Sequence, residues 1–491
     1  MRKTIRFILN GELHQVAGVD PTTTVLNHLR YALGKTGTKE GCAEGDCGAC
    51  TIVVGTLVDG AVQYRAVNAC IMFLPVLDGK EVITVEGLAG PDGTLHPVQQ
   101  ALVDHHGSQC GFCTPGFVMA LYAHYRNQGG TSVSEINDAV AGNLCRCTGY
   151  GPIISAAQAM FDYPAPDKET DDIAARLKAL QEDAPLELTY LCPRTKAEKR
   201  FIAPRDLQHL AAASLKHPDA TYLAGGTDVG LWVTKQQRFL ETTILTTQVT
   251  ELKTVTEHDD SIEIGAAVSY TDVFDLLGGF YPSFGELLRR LGSTQIRNSG
   301  TMGGNIANGS PIGDSMPALI AIGTELVLRR GDDIRRLPLE DFFLDYQQQD
   351  RQPGEFVERF FVQKPQDNTI FYTHKISKRF DQDISAVCGA FRFTVDEGRI
   401  ADARICFGGV AAIPKRAVKT EAALTGQRWT LATVRSAASA LASDFTPISD
   451  MRASAAYREA TARNLLLKAF FDASSAPITT DVLIADEVLH A

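Results

Sequence analysis

This 491-residue sequence contains no long apolar run, so it has no segment that is predicted to cross a membrane. No stretch approaches the roughly 18 consecutive apolar residues that a transmembrane helix requires. The first residues, Met1–Phe7, carry basic charge but give way to polar residues at Asn10, so they lack the apolar core of a secretory signal peptide. We therefore predict a cytoplasmic protein without membrane attachment.

An excess of positive charge is also missing, and nucleic-acid binders depend on one. Lys and Arg number 47 against 58 Asp and Glu, which gives a net charge of −11. Because phosphate backbones are bound by basic surfaces, nucleic acid is not predicted as a partner. Low-complexity tracts are lacking as well. A composition that is 44% hydrophobic and 21% charged is that of a folded protein, and the length predicts several domains.

Cysteine, in contrast, is abundant and concentrated. Eleven cysteines are present, and eight of them precede residue 150. In a reducing compartment, clustered cysteines serve as metal ligands more often than as disulfides. The first set is Cys42, Cys47 and Cys50, followed by Cys70 after nineteen intervening residues. Cys-x4-Cys-x2-Cys with a distant fourth cysteine is the plant-type ferredoxin spacing and predicts a [2Fe–2S] cluster.

The glycines of this first loop, Gly41, Gly45 and Gly48, agree with that prediction. A backbone wrapped closely around a cluster needs positive φ angles and amides directed at sulfur, and glycine permits both. The alternatives are disulfides or a zinc site. Zinc sites more often use paired Cys-x2-Cys motifs, and the four-residue gap suits them poorly.

A second cysteine set consists of Cys110 and Cys113, with two intervening residues, and of Cys145 and Cys147, with one. These cysteines fall at the ends of four predicted helices. The helices are expected at residues 97–106, 115–126, 134–142 and 152–161. A Cys-x-Cys pair is too tight for most zinc sites, whereas its sulfurs can reach one iron from an irregular loop. Since electron transfer uses chained redox centres, we predict a second [2Fe–2S] cluster in a separate helical module.

Two glycine-rich segments further along the chain suit the phosphates of a dinucleotide. In the first, a predicted strand, Thr221–Ala224, leads through the turn Gly225–Asp228 into a predicted helix, Val229–Gln237. Such a turn presents backbone amides and the helix dipole to an anion. The second is a predicted loop at residues 299–305, which leads to Asp314, a carboxylate suited to accept from a ribose or a ring N–H. These turns are common connectors, and spacing alone does not select the dinucleotide.

The remaining pattern is that of an α+β chain. Asn10-Gly11 between alternating apolar runs predicts an N-terminal β-hairpin. Ala386–Val395 and Ile400–Val410 predict a second hairpin near the C-terminus, and amphipathic helices are predicted at Leu431–Leu441 and Ala453–Phe471.

Several residues are predicted to take no part in the chemistry. Cys192, Cys388 and Cys406 have no partners at ligand spacing and are expected in the core. His105 and His106 end a helix, where paired histidines are more often surface groups than ligands. No catalytic acid or base is predicted anywhere in the chain.

Taken together, the motifs resemble those of the molybdenum hydroxylases. The resemblance rests on the two cysteine sets, on Ala-Gly-Gly-Thr-Asp at residues 224–228, and on the segment Thr301–Asp314. It covers nearly the whole chain, including residues 448–458. In this sequence the iron–sulfur modules precede the flavin module in one chain. This order is similar to that in the small subunits of bacterial xanthine dehydrogenases, whereas carbon monoxide dehydrogenases carry the iron–sulfur and flavin modules on separate chains.

The resemblance implies a multidomain α+β fold. A β-grasp [2Fe–2S] ferredoxin domain would occupy residues 1–90, and a four-helix [2Fe–2S] domain residues 91–162. A two-lobed FAD-binding domain of the vanillyl-alcohol-oxidase type would occupy 188–367. Between these domains, the acidic and proline-bearing composition of 163–187 itself predicts a solvated linker, with a short helix at Ile173–Leu180 as the alternative. A C-terminal α+β domain like that of the carbon monoxide dehydrogenase flavoproteins would occupy 368–491.

The resemblance also implies which residues bind the cofactors. Cys110, Cys113, Cys145 and Cys147 would hold the cluster nearer molybdenum. Cys42, Cys47, Cys50 and Cys70 would hold the cluster nearer the flavin. The implied FAD positions are Tyr222, Leu223, Ala224, Gly225, Gly226, Thr227, Asp228, Val229, Leu291, Thr301, Asn305, Asp314 and Lys375. Leu291 stands where other members have an aromatic residue against the flavin ring.

The implied function is that of an electron relay. A purine would be hydroxylated at a molybdopterin site, from hypoxanthine to xanthine to urate, and electrons would cross both clusters to FAD and leave as hydride to NAD+. The family's molybdenum domain is longer than the sequence remaining after the flavin domain. A molybdenum-binding large subunit is therefore expected, in a heterotetramer of two small and two large chains. The alternatives are the equivalent subunit for an aldehyde or another N-heterocycle, and a zinc-binding structural protein.

Overall fold

The structure is a computed structural model that describes residues 1–164, 172–181 and 184–474. The chain divides into two units. The first contains Met1–Glu251 with residues 269–271 and 292–301, and the second contains the other residues from Leu252 onward. Among the described helices, none combines the length and the apolar character that a membrane crossing needs.

The N-terminal module of the first unit is a five-stranded sheet with a short helical segment. Its strands are Ile5–Leu9, Glu12–Val16, Thr51–Val58, Ala61–Asn68 and Glu81–Ile83, and its helical turns are Val25–Asn27, His28–Ala32, Leu74–Leu77 and Val85–Gly87. The first strand pairs antiparallel with the second and parallel with the fifth, as in a β-grasp sheet. Positive φ angles at Asn10 and Gly11 close the first hairpin and confirm its prediction.

Four short helices form the second module. They are Pro97–Asp104, Thr114–Arg126, Val133–Val140 and Gly151–Ala159, each within two residues of its predicted bounds. Local signals explain the agreement. His96 and Gln99 form a capping box, and the Ser132 side chain caps the third helix. Phe117 and Ile153 are fully buried in the core between the helices.

The rest of the first unit is built on a four-stranded sheet. Its strands are Leu186–Leu191, Glu198–Ala203, Thr221–Leu223 and Thr242–Leu245, and its helices are Ile173–Gln181, Leu207–Lys216, Val229–Thr234 and Thr294–Ser299. The third and fourth strands run parallel, so both end at the same edge of the sheet. The turn that begins at Ala224 therefore emerges at this edge.

The helix Ile173–Gln181 falls inside the predicted linker. Its side chains Leu177 and Leu180 are buried against Ile8, so this part is packed helix and the expectation of a solvated segment is wrong there. Two apolar residues three apart place one buried face on the helix. The linker's residues 165–171 and 182–183 lie outside the described residues.

The described part of the second unit contains three antiparallel sheets. The first sheet has the strands Val255–Glu257, Ser261–Gly265, Glu325–Arg330, Asp333–Pro338 and Phe356–Gln363; the second has Thr369–Ile376, Val387–Asp396, Arg399–Gly408 and Lys415–Arg416; and Phe343–Asp345 pairs with Gln348–Gln349. Glu397 and Gly398 have positive φ angles in the turn of the predicted C-terminal hairpin, which is confirmed.

Helices cover the sheets of the second unit. They are Tyr270–Phe280, which begins in the first unit, Pro282–Arg289, Met302–Asn308, Ser315–Ile322, Leu339–Phe342, Val418–Leu424, Leu431–Ala438, Leu441–Asp444 and Ala455–Asp472. The last helix buries Leu465 and Leu466 in one core with Phe391 and Phe407 of the second sheet. The predicted amphipathic helices are thus confirmed, and residues 475–491 of the predicted C-terminal domain lie outside the described residues.

Two further sequence predictions are wrong. Residues 302–305 of the predicted loop belong to the helix Met302–Asn308. Gly303 lets this helix pack closely, since a Cβ there would lie 2.5 Å from the backbone of Ala266. Cys192 is partly exposed and is therefore not the core residue that was predicted. It lies at a turn in which its N–H donates to the carbonyl of Ala197. Cys388 and Cys406 are buried as predicted.

Candidate functional site

The four cysteines of the first set converge at one end of the β-grasp sheet. Cys42, Cys47 and Cys50 lie in the loop before the strand Thr51–Val58, and Cys70 follows the strand that pairs with it. The Cys42 sulfur is within hydrogen-bonding distance of the Cys47 and Cys70 sulfurs. The Cys50 sulfur is equally close to that of Cys70. The strand pairing therefore brings a residue distant in sequence into the loop's ligand set.

Hydrogen bonds to sulfur stabilise thiolates in this set. The amides of Glu44 and Cys47 lie 3.5 and 3.4 Å from the Cys42 sulfur, and Asn68 Nδ2 lies 3.7 Å from the Cys50 sulfur. Hydrogen bonding with Cys47 and Cys70 lowers the pKa of Cys42, and the same contacts raise the pKa of both partners. Four sulfurs this close ionise together only around a positive charge, so the donor set fits an iron cluster.

Two of the three glycines in the loop have the predicted backbone conformation. Gly45 and Gly48 have positive φ angles, whereas Gly41 does not and instead packs closely, since a Cβ there would lie 2.8 Å from the Cys47 sulfur. At Gly48 a Cβ would overlap the carbonyl oxygen of Gly142, in the loop that carries the second cysteine set. Glycine is therefore required at residue 48 both for its φ and for the contact between the two loops.

The second cysteine set forms two pairs at the ends of the helices. The Cys110 sulfur is within hydrogen-bonding distance of that of Cys147, and the Cys113 sulfur of that of Cys145. The Cys145 sulfur also lies 3.5 Å from the amide of Thr148 and 3.2 Å from its hydroxyl. Burial raises the pKa of Cys113 to about 12. Two pairs of thiols match two irons with two protein ligands each.

The two sets differ from a mononuclear site. In the part of the chain that the structure describes, no three His, Cys, Asp or Glu side chains surround the position of a single ion. A [2Fe–2S] cluster requires no such position, because each iron takes two of the four thiolates.

The second set lies on an exposed surface. Cys110 and Cys147 are exposed, whereas Cys50 and Cys70 of the first set are buried. Three apolar side chains in the same loops are also exposed. They are Phe112, Leu144 and Tyr150, which are 47%, 48% and 37% exposed. Exposed apolar groups of this kind are typical of an interaction surface.

The loops of the two sets are joined directly. The N–H of Leu144 donates to the carbonyl of Cys47 at 3.0 Å, and Leu144 immediately precedes Cys145. Asn143 Nδ2 donates to the carbonyl of Gly48, also at 3.0 Å. The route between the two ligand sets therefore contains one hydrogen bond and otherwise covalent bonds.

The glycine turn predicted to bind FAD lies beside the first cysteine set. Gly225 packs against the backbone of Ser299. This contact brings together the two parts of the first unit that were predicted to bind FAD, which are residues 222–229 and Thr301. On its other side, a Cβ at Gly230 would overlap the carbonyl of Ile71, the residue after Cys70. The helix that follows is shorter than predicted and ends at Thr234.

The other four predicted FAD residues, Leu291, Asn305, Asp314 and Lys375, belong to the second unit. Lys375 Nζ lies 2.7 Å from Asp314 Oδ2, and both side chains are buried. The hydroxyl of Ser385 donates to Asp314 Oδ1 at 2.5 Å. Both carboxylate oxygens thus have protein partners, which differs from the expectation of a carboxylate ready to accept from a ribose.

Neighbouring groups hold this ion pair in place. Lys375 Nζ also donates to the carbonyl of Arg290 at 3.2 Å, next to the half-buried Leu291. The Ser315 hydroxyl, next in sequence to Asp314, donates to Asn305 Oδ1 at 2.8 Å. The four predicted residues of the second unit are therefore close neighbours. Sequence reasoning missed Ser385, which no motif marks.

Four protein families match the chain in succession. They are the 2Fe-2S iron-sulfur cluster binding domain at residues 7–74, the [2Fe-2S] binding domain at 84–158, the FAD binding domain in molybdopterin dehydrogenase at 196–365 and the CO dehydrogenase flavoprotein C-terminal domain at 372–473. The chain belongs to the molybdenum hydroxylase family. As a member, it carries two [2Fe–2S] domains and an FAD-binding domain in a multidomain α+β fold.

Curated relatives of this family member include several xanthine dehydrogenases. That of Emericella nidulans is 33% identical over 90% of this chain and 36% of its own length. Xanthine dehydrogenase 1 of Arabidopsis thaliana is 33% identical over 86% of this chain and 36% of its own length. The xanthine dehydrogenase of Drosophila pseudoobscura pseudoobscura is 32% identical over 98% of this chain and 40% of its own length. The chain thus spans little more than a third of the length of these relatives.

Solved structures agree on the fold. A carbon monoxide dehydrogenase chain from Hydrogenophaga pseudoflava, from a form lacking the Mo-pyranopterin moiety, has a TM-score of 0.52 and 26% identity, covering 55% of this chain and 94% of that one. A chain of quinoline 2-oxidoreductase from Pseudomonas putida 86 has a TM-score of 0.51 and 22% identity, and the match covers 55% of this chain and 95% of that one. At this identity the likeness concerns only the fold.

Proposed function

We propose that this chain is the electron-relay component of a molybdenum hydroxylase, with the molybdenum site on a partner chain or segment. The observation that carries the proposal is the contact between successive cofactor sites in the first unit. Leu144 bonds to Cys47 between the two cysteine loops, and the turn that precedes Gly230 lies against Ile71 beside Cys70. An electron relay requires neighbouring cofactor sites, and here the two cysteine sets and the glycine turn predicted to bind FAD contact one another in that order.

The direction of the relay follows from exposure. The cluster that receives electrons from the partner would be held by Cys110, Cys113, Cys145 and Cys147, since Cys110 and Cys147 are exposed. The cluster that passes electrons on to FAD would be held by Cys42, Cys47, Cys50 and Cys70. When bound, the clusters supply one-electron transfer and the flavin supplies hydride transfer. The chain supplies ligation, hydrogen bonds to sulfur and burial, which set the potentials.

The FAD-binding residues are proposed as Tyr222–Val229 with Leu291, Thr301, Asn305, Asp314 and Lys375. Backbone amides of the glycine turn bind the phosphates. The Lys375–Asp314 pair, fixed by Ser385, would supply the charged groups of the site in the second unit.

We further propose a purine as the substrate of the assembled enzyme and NAD+ as its electron acceptor, in the cytoplasm. The relatives called xanthine dehydrogenase, about 33% identical over most of this chain, support this choice. A heterotetramer of two such chains with two molybdenum-binding chains is the proposed assembly. An aldehyde or another N-heterocycle is the alternative substrate, since no substrate pocket is predicted on this chain.

The test is the composition of the purified protein and of its complex. About four irons and one FAD per chain are expected from two [2Fe–2S] clusters and one flavin site. Colourless protein that contains zinc would contradict the proposal. Addition of hypoxanthine to the complex with the partner should bleach the cluster and flavin absorbance. Bleaching by an aldehyde or quinoline, but not by a purine, would establish the alternative.

The docking surface has its own test. Phe112→Ser removes an exposed apolar side chain beside the second cysteine set and should weaken copurification of the molybdenum-binding partner. Leu191→Ser is the matched control, since Leu191 is also exposed but lies at the end of a strand in the flavin-binding part. Equal copurification of both variants with the partner would place the interface elsewhere.

A further inference from the structure

A group of buried polar side chains lies between the two cysteine loops. Gln295 Nε2 donates to Asn143 Oδ1 at 2.8 Å and to the Thr51 hydroxyl oxygen at 3.2 Å. Asn143 Nδ2 donates to the carbonyl of Gly48 at 3.0 Å and to the same hydroxyl oxygen at 3.3 Å. The Thr51 hydroxyl in turn donates to the Gly48 carbonyl at 2.7 Å. All of these residues belong to the first unit.

Three members of this network, Gly48, Thr51 and Asn143, lie within two residues of a proposed cluster ligand. Gly48 follows Cys47, and Thr51 follows Cys50. Asn143 precedes Leu144, whose N–H donates to the Cys47 carbonyl at 3.0 Å. The network therefore braces the one hydrogen bond that links the two ligand sets.

Gln295 fixes this network from outside the two cysteine loops. It is 1% exposed, and its Oε1 has no hydrogen-bond partner among the described residues. Its Nε2 donates to Asn143 Oδ1, which an apolar side chain at residue 295 would leave buried and unpaired. The side chain enters from the helix Thr294–Ser299, which carries none of the proposed cluster ligands. The Gln295 amide therefore holds the Asn143 and Thr51 side chains in place.

We propose that Gln295 is a positioning residue for electron transfer between the two clusters. Through Asn143 and Thr51 it fixes the hydrogen bond from Leu144 to the Cys47 carbonyl, which is the bridge for the electron. One electron leaves the reduced cluster of the helical module, which is oxidised, and enters the oxidised cluster of the β-grasp module, which is reduced. No bond breaks and no proton moves. The inference rests on the proposed function, in which both cysteine sets hold clusters.

The test compares Gln295→Met with Asn298→Leu in the full chain. Methionine keeps the unbranched length and removes both donated hydrogen bonds. Asn298 is the matched control: it is a carboxamide on the same helix, donates to the Ala66 carbonyl at 2.9 Å and accepts from Thr271 at 2.8 Å, and does so away from both cysteine loops. The measurements are iron content, the spin–spin splitting in the electron paramagnetic resonance spectrum of the fully reduced protein, and the rate of electron exchange between the clusters after photoreduction.

Gln295→Met should retain native iron content but show a loss of splitting and severalfold slower exchange between the clusters. Asn298→Leu should match the native protein in both. Native splitting and exchange in Gln295→Met would overturn the proposal. A native protein that lacks two distinct clusters would instead overturn the proposed function.

A second variant covers the case in which Gln295→Met loses iron. Thr51→Val preserves the shape of the side chain and removes the hydroxyl at the centre of the network. Reduced splitting with native iron content in Thr51→Val would support the proposal, and native splitting would overturn it. Loss of iron in both variants would also overturn it, because the network would then serve cluster assembly and not the bridge.

Discussion

The carbonyl oxygen of Ile71 occupies the space that a Cβ atom on Gly230 would need. Ile71 follows Cys70, and Gly230 lies in the first turn of the helix after the glycine turn. This contact joins the proposed flavin site to the proposed ligands of the first cluster. The separation between the two sites is therefore set by the absence of a side chain at residue 230.

Gly230→Ala should lower the FAD content of the purified protein and leave its iron content unchanged. The added methyl group pushes the turn away from Ile71, whereas neither cysteine set contains the altered residue. Flavin absorbance and iron per chain measure the two effects. Gly279→Ala is the control, since Gly279 is also helical and an added Cβ there meets no atom within 4 Å. Native FAD content in Gly230→Ala would show that the contact does not shape the flavin site.

Cys147→Ser should remove one cluster and spare the flavin. Iron should fall from about four to about two per chain, because the remaining cysteine set still holds a [2Fe–2S] cluster. FAD should stay bound, since Cys147 lies in the helical module. Cys192→Ser alters a partly exposed cysteine outside both sets and should keep all the iron. Loss of flavin in folded Cys147→Ser would contradict the proposed separation of the sites.

Lys375→Met should lower the free energy of unfolding by about 3–5 kcal/mol, because it leaves the buried carboxylate of Asp314 without its cation. Ser385→Ala removes one hydrogen bond to the same carboxylate and should cost about 1–3 kcal/mol. Urea denaturation followed by circular dichroism gives both values. Lys378→Met changes an exposed lysine three residues away and is the control. A loss below about 1 kcal/mol in Lys375→Met would show that Asp314 is not dependent on this partner.

His96 should make stability depend on pH. Burial lowers its pKa to about 4, and its Nδ1 accepts the N–H of Val98 at 3.2 Å as a helix cap. In the unfolded chain the group titrates near its ordinary value of about 6.5. Below that value the unfolded chain binds the proton that the folded chain excludes. Stability is therefore fully present above about pH 6.5 and is lost progressively as the pH falls towards 4.

His96→Asn isolates this effect, because asparagine caps a helix without titrating. The variant loses contacts with Tyr122 and Tyr125 and so should be less stable at pH 8. Its stability should then fall less steeply between pH 6.5 and 4 than that of the native protein. Denaturation midpoints across this range provide the measurement. Parallel pH profiles would show that His96 is not the group responsible.

Much of the fold and of the metal sites follows from local patterns in the sequence. Each of the four helices begins with a side-chain cap, a proline in its first turn, or both, and cysteine spacing reflects the geometry of a single loop. The fourth ligand of the first set, Cys70, is predictable because the ferredoxin spacing includes it. Those signals act over a few residues, so they can be read without a structure.

The features that sequence reasoning missed depend on contacts between distant segments. Gln295 meets Asn143 across 152 positions, and Ser385 meets Asp314 across 71. Neither pair has a spacing that marks it. Gly303 was assigned to a loop because glycine there also suits a phosphate-binding turn, and only the backbone of Ala266 against it shows that the glycine serves packing.

The most direct test of the account is electron paramagnetic resonance of the dithionite-reduced chain together with its iron and FAD content. Two distinct [2Fe–2S] signals are expected, with about four irons and one FAD per chain. The two clusters should differ in reduction potential, because solvent exposure tunes it and the second cysteine set includes two exposed cysteines where the first includes two buried ones. A single cluster signal, or zinc in place of iron, would contradict the relay.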